Sequence, residues 1–418
     1  MHILFLTDNF PPEVNAPASR TFEHARCWVA AGHRVTVVTC APNFPVGRVF
    51  DGYRNRLWQR EQIDGIEVVR VWTYIASNQG FLRRIVDYVS FMFTGAVAAL
   101  FVRRADVVVG TSPQFFTVCA AWFVAALKRV PFVFELRDLW PESIKAVGAM
   151  TDSTFLRAME RVELFLYRRA ARIVSVTHAF RDILGARGID VVKIDVVTNG
   201  VDVARFSPRP KDEALQASLG LHGKFVLGYV GTHGMAHGLE TLLEAVARLR
   251  SGAGGERFRL LLLGDGARKA ALVAQAADMG LTEVIFVGSV PKEEVARYWS
   301  LLDVSIIHLR KTELFSSVIP SKLFECMGMG IPVLHGVPGE SAGIVTREGV
   351  GLVFEPENVA ALVEGVQRMA GDVALLAECR QRGVAAAGRY DRTALALVML
   401  SILERVVAQR RIPAPVDR

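Results

Sequence analysis

The sequence predicts an α/β protein made of two doubly wound, Rossmann-like parallel-sheet domains in tandem, and three observations carry that reading. The 418 residues are 51% apolar, enough to fill two separate cores. Short β-branched runs alternate with longer segments of helical period, which is the pattern of a parallel sheet wrapped by helices. The alternation then stops and restarts. Between Val176 and Leu227 lies a stretch rich in Gly, Pro, Asp and Asn, containing TNGVDVARFSPRP, which reads as loop and hinge.

In chain order, the first domain has candidate strands at residues 2–7, 34–39, 68–72, 107–111, 132–136 and 172–176. The second has them at 226–230, 259–264, 284–287, 304–307, 333–334 and 351–354. The domain limits are set at 1–205 and 206–388, and 389–418 is a closing segment whose leucines and valines at helical spacing over 390–410 predict one long helix. Residues 85–102 (IVDYVSFMFTGAVAALFV) stand apart, apolar except for Asp87 and a few small polar residues, and flanked by Arg83, Arg84, Arg103 and Arg104. At the lower limit for a membrane span, and followed almost at once by a strand, the segment leaves two readings open. It is a largely buried helix of the outer layer, or a helix with one face against a bilayer and its arginines on lipid phosphates.

A formal charge of +7 and a pI near 9.3 favour an anionic partner: phosphate, nucleic acid or an acidic lipid surface. Five cysteines without a C-x-x-C pair indicate neither a disulfide framework nor a cysteine metal site and fit a reducing cytoplasm. The opening MHILFLTDNFPPE has too short an apolar run, with no basic residues ahead of it, for a signal peptide and reads as a first core strand.

The sharpest local feature is SSVIPSKLFECMGMGIPV, residues 316–333, a loop feeding a short helix that ends at glycines and a proline. Pro320 and Ser321 start that helix. Its free N–H groups and dipole attract a diphosphate, Lys322 adds a full charge, and Glu325 one turn on suits the vicinal hydroxyls of a ribose. An ordinary amphipathic helix with solvated Lys and Glu accounts for the same pattern. A second glycine motif, YVGTHGMAHGLETLLEA from Tyr229, lets backbone approach phosphate closely through Gly231, Gly234 and Gly238, or is a structural turn. In ELRDLWPES, Arg137 and Asp138 follow a strand at the carboxyl edge, where open α/β sheets hold their ligands. There is no Asp-x-Asp, no Walker A loop and no G-x-G-x-x-G, so readings as a metal-diphosphate transferase of the other large fold, an ATPase or a dehydrogenase lack their phosphate cradles.

The 316–333 run resembles the donor-binding segment of family four of the retaining GT-B glycosyltransferases, with its pattern like E-x-M-A-x-G-x-P-V. Glu325 takes the place of the second family Glu, and Gly330, Pro332 and Val333 fall into register. The first Glu, eight positions earlier, is replaced by Ser317. The resemblance implies a GT-B fold with two domains facing a cleft, a C-terminal helix returning to the first domain, and transfer from a nucleotide diphosphate sugar with retention, without metal or cofactor. It places Thr232 and His237 where the family has Arg and Lys on the diphosphate, leaving Lys322, Arg310 or Lys311 to supply charge. It sets Val287 and Gly288 at the base. On the acceptor side it replaces a glycine pair by Asn15 and Ala16, with Arg20 on the following helix, and the family's sugar-contacting His by Arg137. Asp138 is then a base or a buried partner of Arg137.

DLWPES, PSKLFE and the glycine turn together resemble the branch of bacterial N-acetyl-L-fucosamine transferases of surface polysaccharide assembly. That implies a UDP-linked amino sugar, a polyprenyl diphosphate-linked saccharide acceptor, and a cytoplasmic protein peripheral on the inner membrane face. The rivals are a nucleotide-sugar epimerase of the same shape and, on pI alone, a nucleic-acid binder.

Overall fold

A computed structural model describes residues 1–44, 47–75, 81–139 and 154–411. The chain divides into two compact units, Met1–Thr198 together with the segment from Arg392, and Asn199–Asp391. The change-over falls a few residues from the 205/206 and 388/389 limits read from sequence. The reason is local: the Val201 N–H donates to the Tyr390 carbonyl at 2.9 Å, and Val201 and Phe206 share a core with Tyr390.

The first unit is built on an eight-stranded sheet, ordered β3-β4-β2-β1-β5-β6-β7-β8. Its strands are β1 (His2–Leu6), β2 (Arg34–Cys40), β3 (Trp58–Ile63), β4 (Ile66–Val71), β5 (Val107–Thr111), β6 (Phe132–Leu136), β7 (Arg172–Ser175) and β8 (Ile194–Val196). All neighbours are parallel except β3, which runs antiparallel to β4. β1, β5 and β6 are buried along their whole length, as continuous apolar runs require when helices cover both faces. β3 and β8 were not expected from sequence. β3 (WQREQI) is polar and half exposed at the sheet edge, and β8 has only three residues.

On one face, helices Phe81–Phe101 and Phe115–Lys128 pack over a core that includes Phe91, Ala98, Val118 and Phe134. The first of these is the apolar segment singled out above. It buries Phe91, Ala98 and Ala99 but leaves Val86, Phe93, Val97 and Phe101 exposed, with Phe123 and Leu127 exposed on its partner helix. No helix among the described residues is long and apolar enough to cross a membrane. The opposite face is closed by helices Ala16–Ala30 and Arg392–Arg411. There the Trp28 indole N–H donates to the Ala396 carbonyl at 2.8 Å, Arg392 pairs with Glu23 at 2.7 Å, and Met399 and Leu403 enter the core beside Trp28.

The second unit has a six-stranded, wholly parallel sheet, ordered β11-β10-β9-β12-β13-β14. Its strands are β9 (Phe225–Val230), β10 (Phe258–Leu263), β11 (Val284–Val287), β12 (Val304–His308), β13 (Val333–Gly336) and β14 (Gly351–Val353). Separate cores lie on its two faces, one around Trp299 and Phe324 and one around Leu242 and Leu260. Because the strands are parallel, every loop leaving them emerges along one edge, and the loops after β9, β10, β11 and β12 share that edge.

Candidate functional site

The edge of the second unit is organised by two glycine loops held back to back. The chain leaves β9 at Gly231, whose φ of +140° only glycine adopts readily, and passes Gly238 in the left-handed region. The loop after β10 is hydrogen-bonded to it throughout: Gly231 N–H to Leu263 O at 2.9 Å, His233 N–H to Asp265 O at 2.8 Å, and Arg268 N–H to His233 O at 2.9 Å. The approach is so close that a Cβ on Gly264 would lie 1.9 Å from the Gly231 carbonyl oxygen.

Against this pair of loops sits Lys322, first residue of the helix Lys322–Met329. Its ammonium lies 3.8 Å from the Tyr229 ring centroid, and a Cβ on Gly231 would be 2.9 Å from Nζ. Burial pulls its pKa down to about 8, with the nearby Glu325 charge acting the other way. Among the described residues no carboxylate comes within ion-pairing distance of Nζ. A desolvated cation with an aromatic face as its main support is a group whose charge an anion can neutralise.

Two imidazoles lie beside Lys322 and Tyr229. His233, with no accessible surface, has no hydrogen-bond partner among the described residues on either ring nitrogen, and His237 has none on Nδ1. Both rings lie about one ring's width from Tyr229, at centroid distances of 6.0 and 5.9 Å. Burial first, and the positive charge of Lys322 or Lys269 second, hold both histidines down at about 4. His308 on β12 fixes the loop from below: its Nδ1–H donates to the His237 carbonyl at 2.7 Å, and its Nε2 accepts from the Glu357 N–H at 2.9 Å, which sets a neutral tautomer.

Arg310 does not deliver its charge to this pocket. Its guanidinium is spent on the Met235 carbonyl at 2.8 Å, Glu357 at 3.1 Å and Glu240 at 3.4 Å, and Lys311 pairs with Glu355. Thr232 is exposed, and its carbonyl accepts the Tyr229 hydroxyl at 2.9 Å. Ser317 is buried, with Oγ donating to the Leu314 carbonyl at 2.7 Å, and Pro320 accepts the Leu323 N–H through its carbonyl. Ser321 is the residue before the helix and makes no side-chain cap bond, while the half-buried Glu325 lies in the first turn. Val287 ends β11 with Gly288 beside it. Lys269 reaches that point, its Nζ donating to Gly264 O at 2.9 Å and Val287 O at 3.3 Å. Sequence reasoning missed Tyr229, His233 and Lys269. The run GDGARK, glycines followed by a basic residue, was the available signal for Lys269.

In the first unit the expected residues also gather at the carboxyl edge, but two are engaged structurally. Asn15 caps its helix by accepting the Ala18 N–H at 2.9 Å, and Ala16 beside it is exposed. Arg20, read from sequence as an acceptor-side contact, has its guanidinium turned inward. It donates to Glu135 at 2.9 Å and to the carbonyls of Thr198 and Val197 at 2.7 and 2.9 Å, since a buried Glu135 demands a cation. Arg137 follows β6, with its N–H on Ser112 Oγ at 2.8 Å and its guanidinium on the Pro17 carbonyl at 3.3 Å. Burial draws it to about 10 against the opposing pull of Glu135. Asp138 is anchored by its N–H to the same Ser112 hydroxyl at 3.2 Å. Residues 140–143 of that motif lie outside the described residues.

These folds and loops match known proteins along most of the chain. Residues 15–200 match the glycosyl transferase 4-like domain, and residues 224–372 match glycosyl transferases group 1. The chain belongs to the GT-B glycosyltransferases and is an enzyme of that class. A putative colanic acid biosynthesis glycosyl transferase of Escherichia coli is 25% identical over 381 residues, 88% of this chain and 92% of the relative. The 2-deoxystreptamine glucosyltransferase of Streptomyces kanamyceticus is 33% identical over 60% of this chain and 64% of its own. Among solved structures, sucrose-phosphate synthase from Thermosynechococcus elongatus superposes with a TM-score of 0.78 at 17% identity, covering 98% of this chain and 99% of that one. The Anabaena protein HepE, solved in complex with UDP-glucose, gives 0.73 at 18% identity over 97% and 100%. At such identities these structures speak for the fold.

Proposed function

We propose that the second unit binds a nucleotide diphosphate sugar and that the enzyme transfers the sugar to a lipid-linked saccharide in bacterial polysaccharide assembly. The observation that carries this is the Lys322 ammonium, desolvated beneath the Gly231–Gly238 loop with no carboxylate of the described residues within ion-pairing distance. A diphosphate supplies that counter-charge. Glu325, next along the helix, takes the ribose hydroxyls, and the edge from Val287 to Gly288 takes the base. The donor is UDP-linked, carrying an N-acetylated amino sugar. Backbone and hydroxyl groups around Ser317 stand near the sugar in place of a carboxylate. Transfer proceeds with retention, the donor's own phosphate accepting the acceptor proton on the attacked face, so no enzyme nucleophile and no metal are called for. Arg137 and Asp138 face the acceptor.

The acceptor is a polyprenyl diphosphate-linked saccharide. Each CH₂ drawn from the bilayer into water costs roughly 0.8 kcal/mol, so the enzyme goes to the lipid. The exposed apolar row Val86, Phe93, Val97 and Phe101, with exposed Arg83, Arg103 and Arg104 at its ends, supports a peripheral place on the cytoplasmic membrane face. The Arg84 side chain lies outside the described residues.

Thermal shift against a panel of nucleotide sugars, followed by transfer to a short-chain polyprenyl diphosphate saccharide with the linkage read by NMR, tests the reading. A stabilising donor whose sugar reaches the acceptor with its anomeric configuration kept supports it. A sugar altered in the absence of acceptor makes the protein an epimerase, and tight, salt-sensitive binding of RNA or DNA with no sugar nucleotide bound overturns it.

A further inference from the structure

The Lys322 pocket is one cation short. The diphosphate of a sugar nucleotide is a diester with two negative charges, and Lys322 supplies one positive charge. Arg310 is turned onto Glu240 and Glu357, and Thr232 is neutral. Lys269 spends hydrogens on two carbonyl oxygens at the ends of β10 and β11. Among the described residues around Lys322, the buried side-chain nitrogens without a close hydrogen-bond partner are those of the imidazoles: both ring nitrogens of the inaccessible His233, and Nδ1 of the part-exposed His237, whose ring lies near the Gly234 carbonyl. Gly234 leaves them room, since a Cβ there would stand 3.3 Å from His237 Nδ1.

We propose, resting on the donor-site reading above, that His237 is the second cation of the diphosphate site and becomes one only as the donor binds, so that sugar nucleotide is taken up together with a proton. In the free enzyme the groups facing His237 keep it neutral. Lys322 approaches from its helix, His233 from the same loop, His308 from β12 with Arg310 beyond it, and Tyr229 packs against the ring; the Gly234 carbonyl beside the ring acts the other way but is outweighed, and no carboxylate is among the contacts from the described residues. Of the acids around that network, Glu240 is held by Arg268 and Arg310, and Glu357 pairs with Arg310. His233 is faced by Lys269 and Lys322, with Asp265 opposing them. A dianion placed beside Lys322 reverses the sign of the field at His237, and the proton then enters from solvent on the ring's exposed side. His308 takes no part, because both its nitrogens are already committed.

Linkage gives the signature. While His237 is neutral free and protonated bound, donor affinity falls as pH rises, by up to tenfold per pH unit for one proton. Lys322, at about 8 in the free protein, adds a separate fall above pH 8. The test is calorimetric titration of the whole enzyme with UDP-N-acetylglucosamine and with GDP-mannose, whose diphosphate diesters do not titrate in this range, from pH 5 to 8.5 in buffers of different ionisation enthalpy. The expected result is an affinity that drops three- to tenfold per unit between pH 5.5 and 7.5, with half to one proton taken up. In His237→Gln that slope flattens while the fall above pH 8 stays. Binding with no proton uptake below pH 7.5, or an unchanged slope in His237→Gln, overturns the proposal and leaves the donor site standing. Binding of neither nucleotide at any pH removes the donor site and the proposal with it.

Discussion

Replacing Lys322 by methionine separates what the buried cation costs the fold from what it gives the ligand. Burial brings the Lys322 pKa from 10.5 to about 8, so keeping the ammonium charged in the free enzyme costs about 3 kcal/mol. Its position 3.8 Å from the Tyr229 ring centroid returns about 1–2 kcal/mol of cation–π attraction. The balance is a net cost of about 1–2 kcal/mol. Methionine matches the aliphatic stem in length and carries no charge, so Lys322→Met is expected to be more stable than the wild type in the absence of ligand. For a unit of this size that corresponds to a rise in Tm of roughly 2–8 °C, read by differential scanning calorimetry. The same variant loses the diphosphate's main counter-charge, about 3 kcal/mol, so affinity for UDP falls on the order of 100-fold by isothermal calorimetry. A lower Tm with UDP affinity intact would refute the reasoning on both counts, since Lys322 would then support the fold and not the ligand.

Arg20→Met leaves the buried Glu135 without its hydrogen-bonded cation, with Arg137 the remaining positive charge acting on it, and is expected to lose about 3–5 kcal/mol, seen as a lower unfolding midpoint; restoration of stability by adding Glu135→Gln would identify the unpaired charge as the cause. Gly264→Ala puts a Cβ 1.9 Å from the Gly231 carbonyl at a φ of +141°, so the two loops must part, with at least 3 kcal/mol lost and nucleotide binding weakened with it; a wild-type Tm would contradict the interlock. Glu325→Ala is expected to keep its fold and bind UDP about tenfold more weakly, the loss of one charged hydrogen-bond acceptor, which calorimetry decides. In acid, the free enzyme should lose stability as pH falls from about 6.5 toward 4. His233 and His237 are both held at about 4 in the fold but take up protons near the ordinary histidine value when unfolded, and chemical denaturation across that range measures the loss.

Much of the architecture was legible because the strands that matter are buried on both faces. Runs such as Val107–Thr111 and Phe258–Leu263 have no polar alternation to confuse them, and the glycines that end the parallel strands mark their carboxyl edges. The β3–β4 hairpin was missed although Asp64 and Gly65, both at positive φ, form the Asp-Gly turn that announces such a pair. The polar run ahead of it hid the first strand. In the candidate site, Lys322 and Glu325 were visible as charges at a helix start, whereas Arg310 and Arg20 looked just as available. Their partners were out of view: Glu240 and Glu357 lie far from Arg310 along the chain, and Glu135 lies far from Arg20. Sequence shows where a cation is, and only the fold shows which anion already has it. His233 was passed over for the opposite reason, since a histidine inside a glycine loop gives no sign that both its nitrogens will be left without partners.

The return of the helix Arg392–Arg411 to the first unit bears on how the protein is made. Trp28 and its neighbours leave the ribosome well before the residues that cover them, Met399, Leu403 and Val406, are made. While the intervening chain is translated, one face of the first sheet stays open to water, and the second unit, continuous in sequence, can close before it. The nascent chain therefore exposes an apolar face for tens of seconds at ordinary translation rates of roughly 5–20 residues per second, long enough to need a chaperone's cover. A stop codon just ahead of this helix would leave that face open permanently, so that a truncation outside the second unit would be lost to aggregation while every residue proposed to bind the donor was still present.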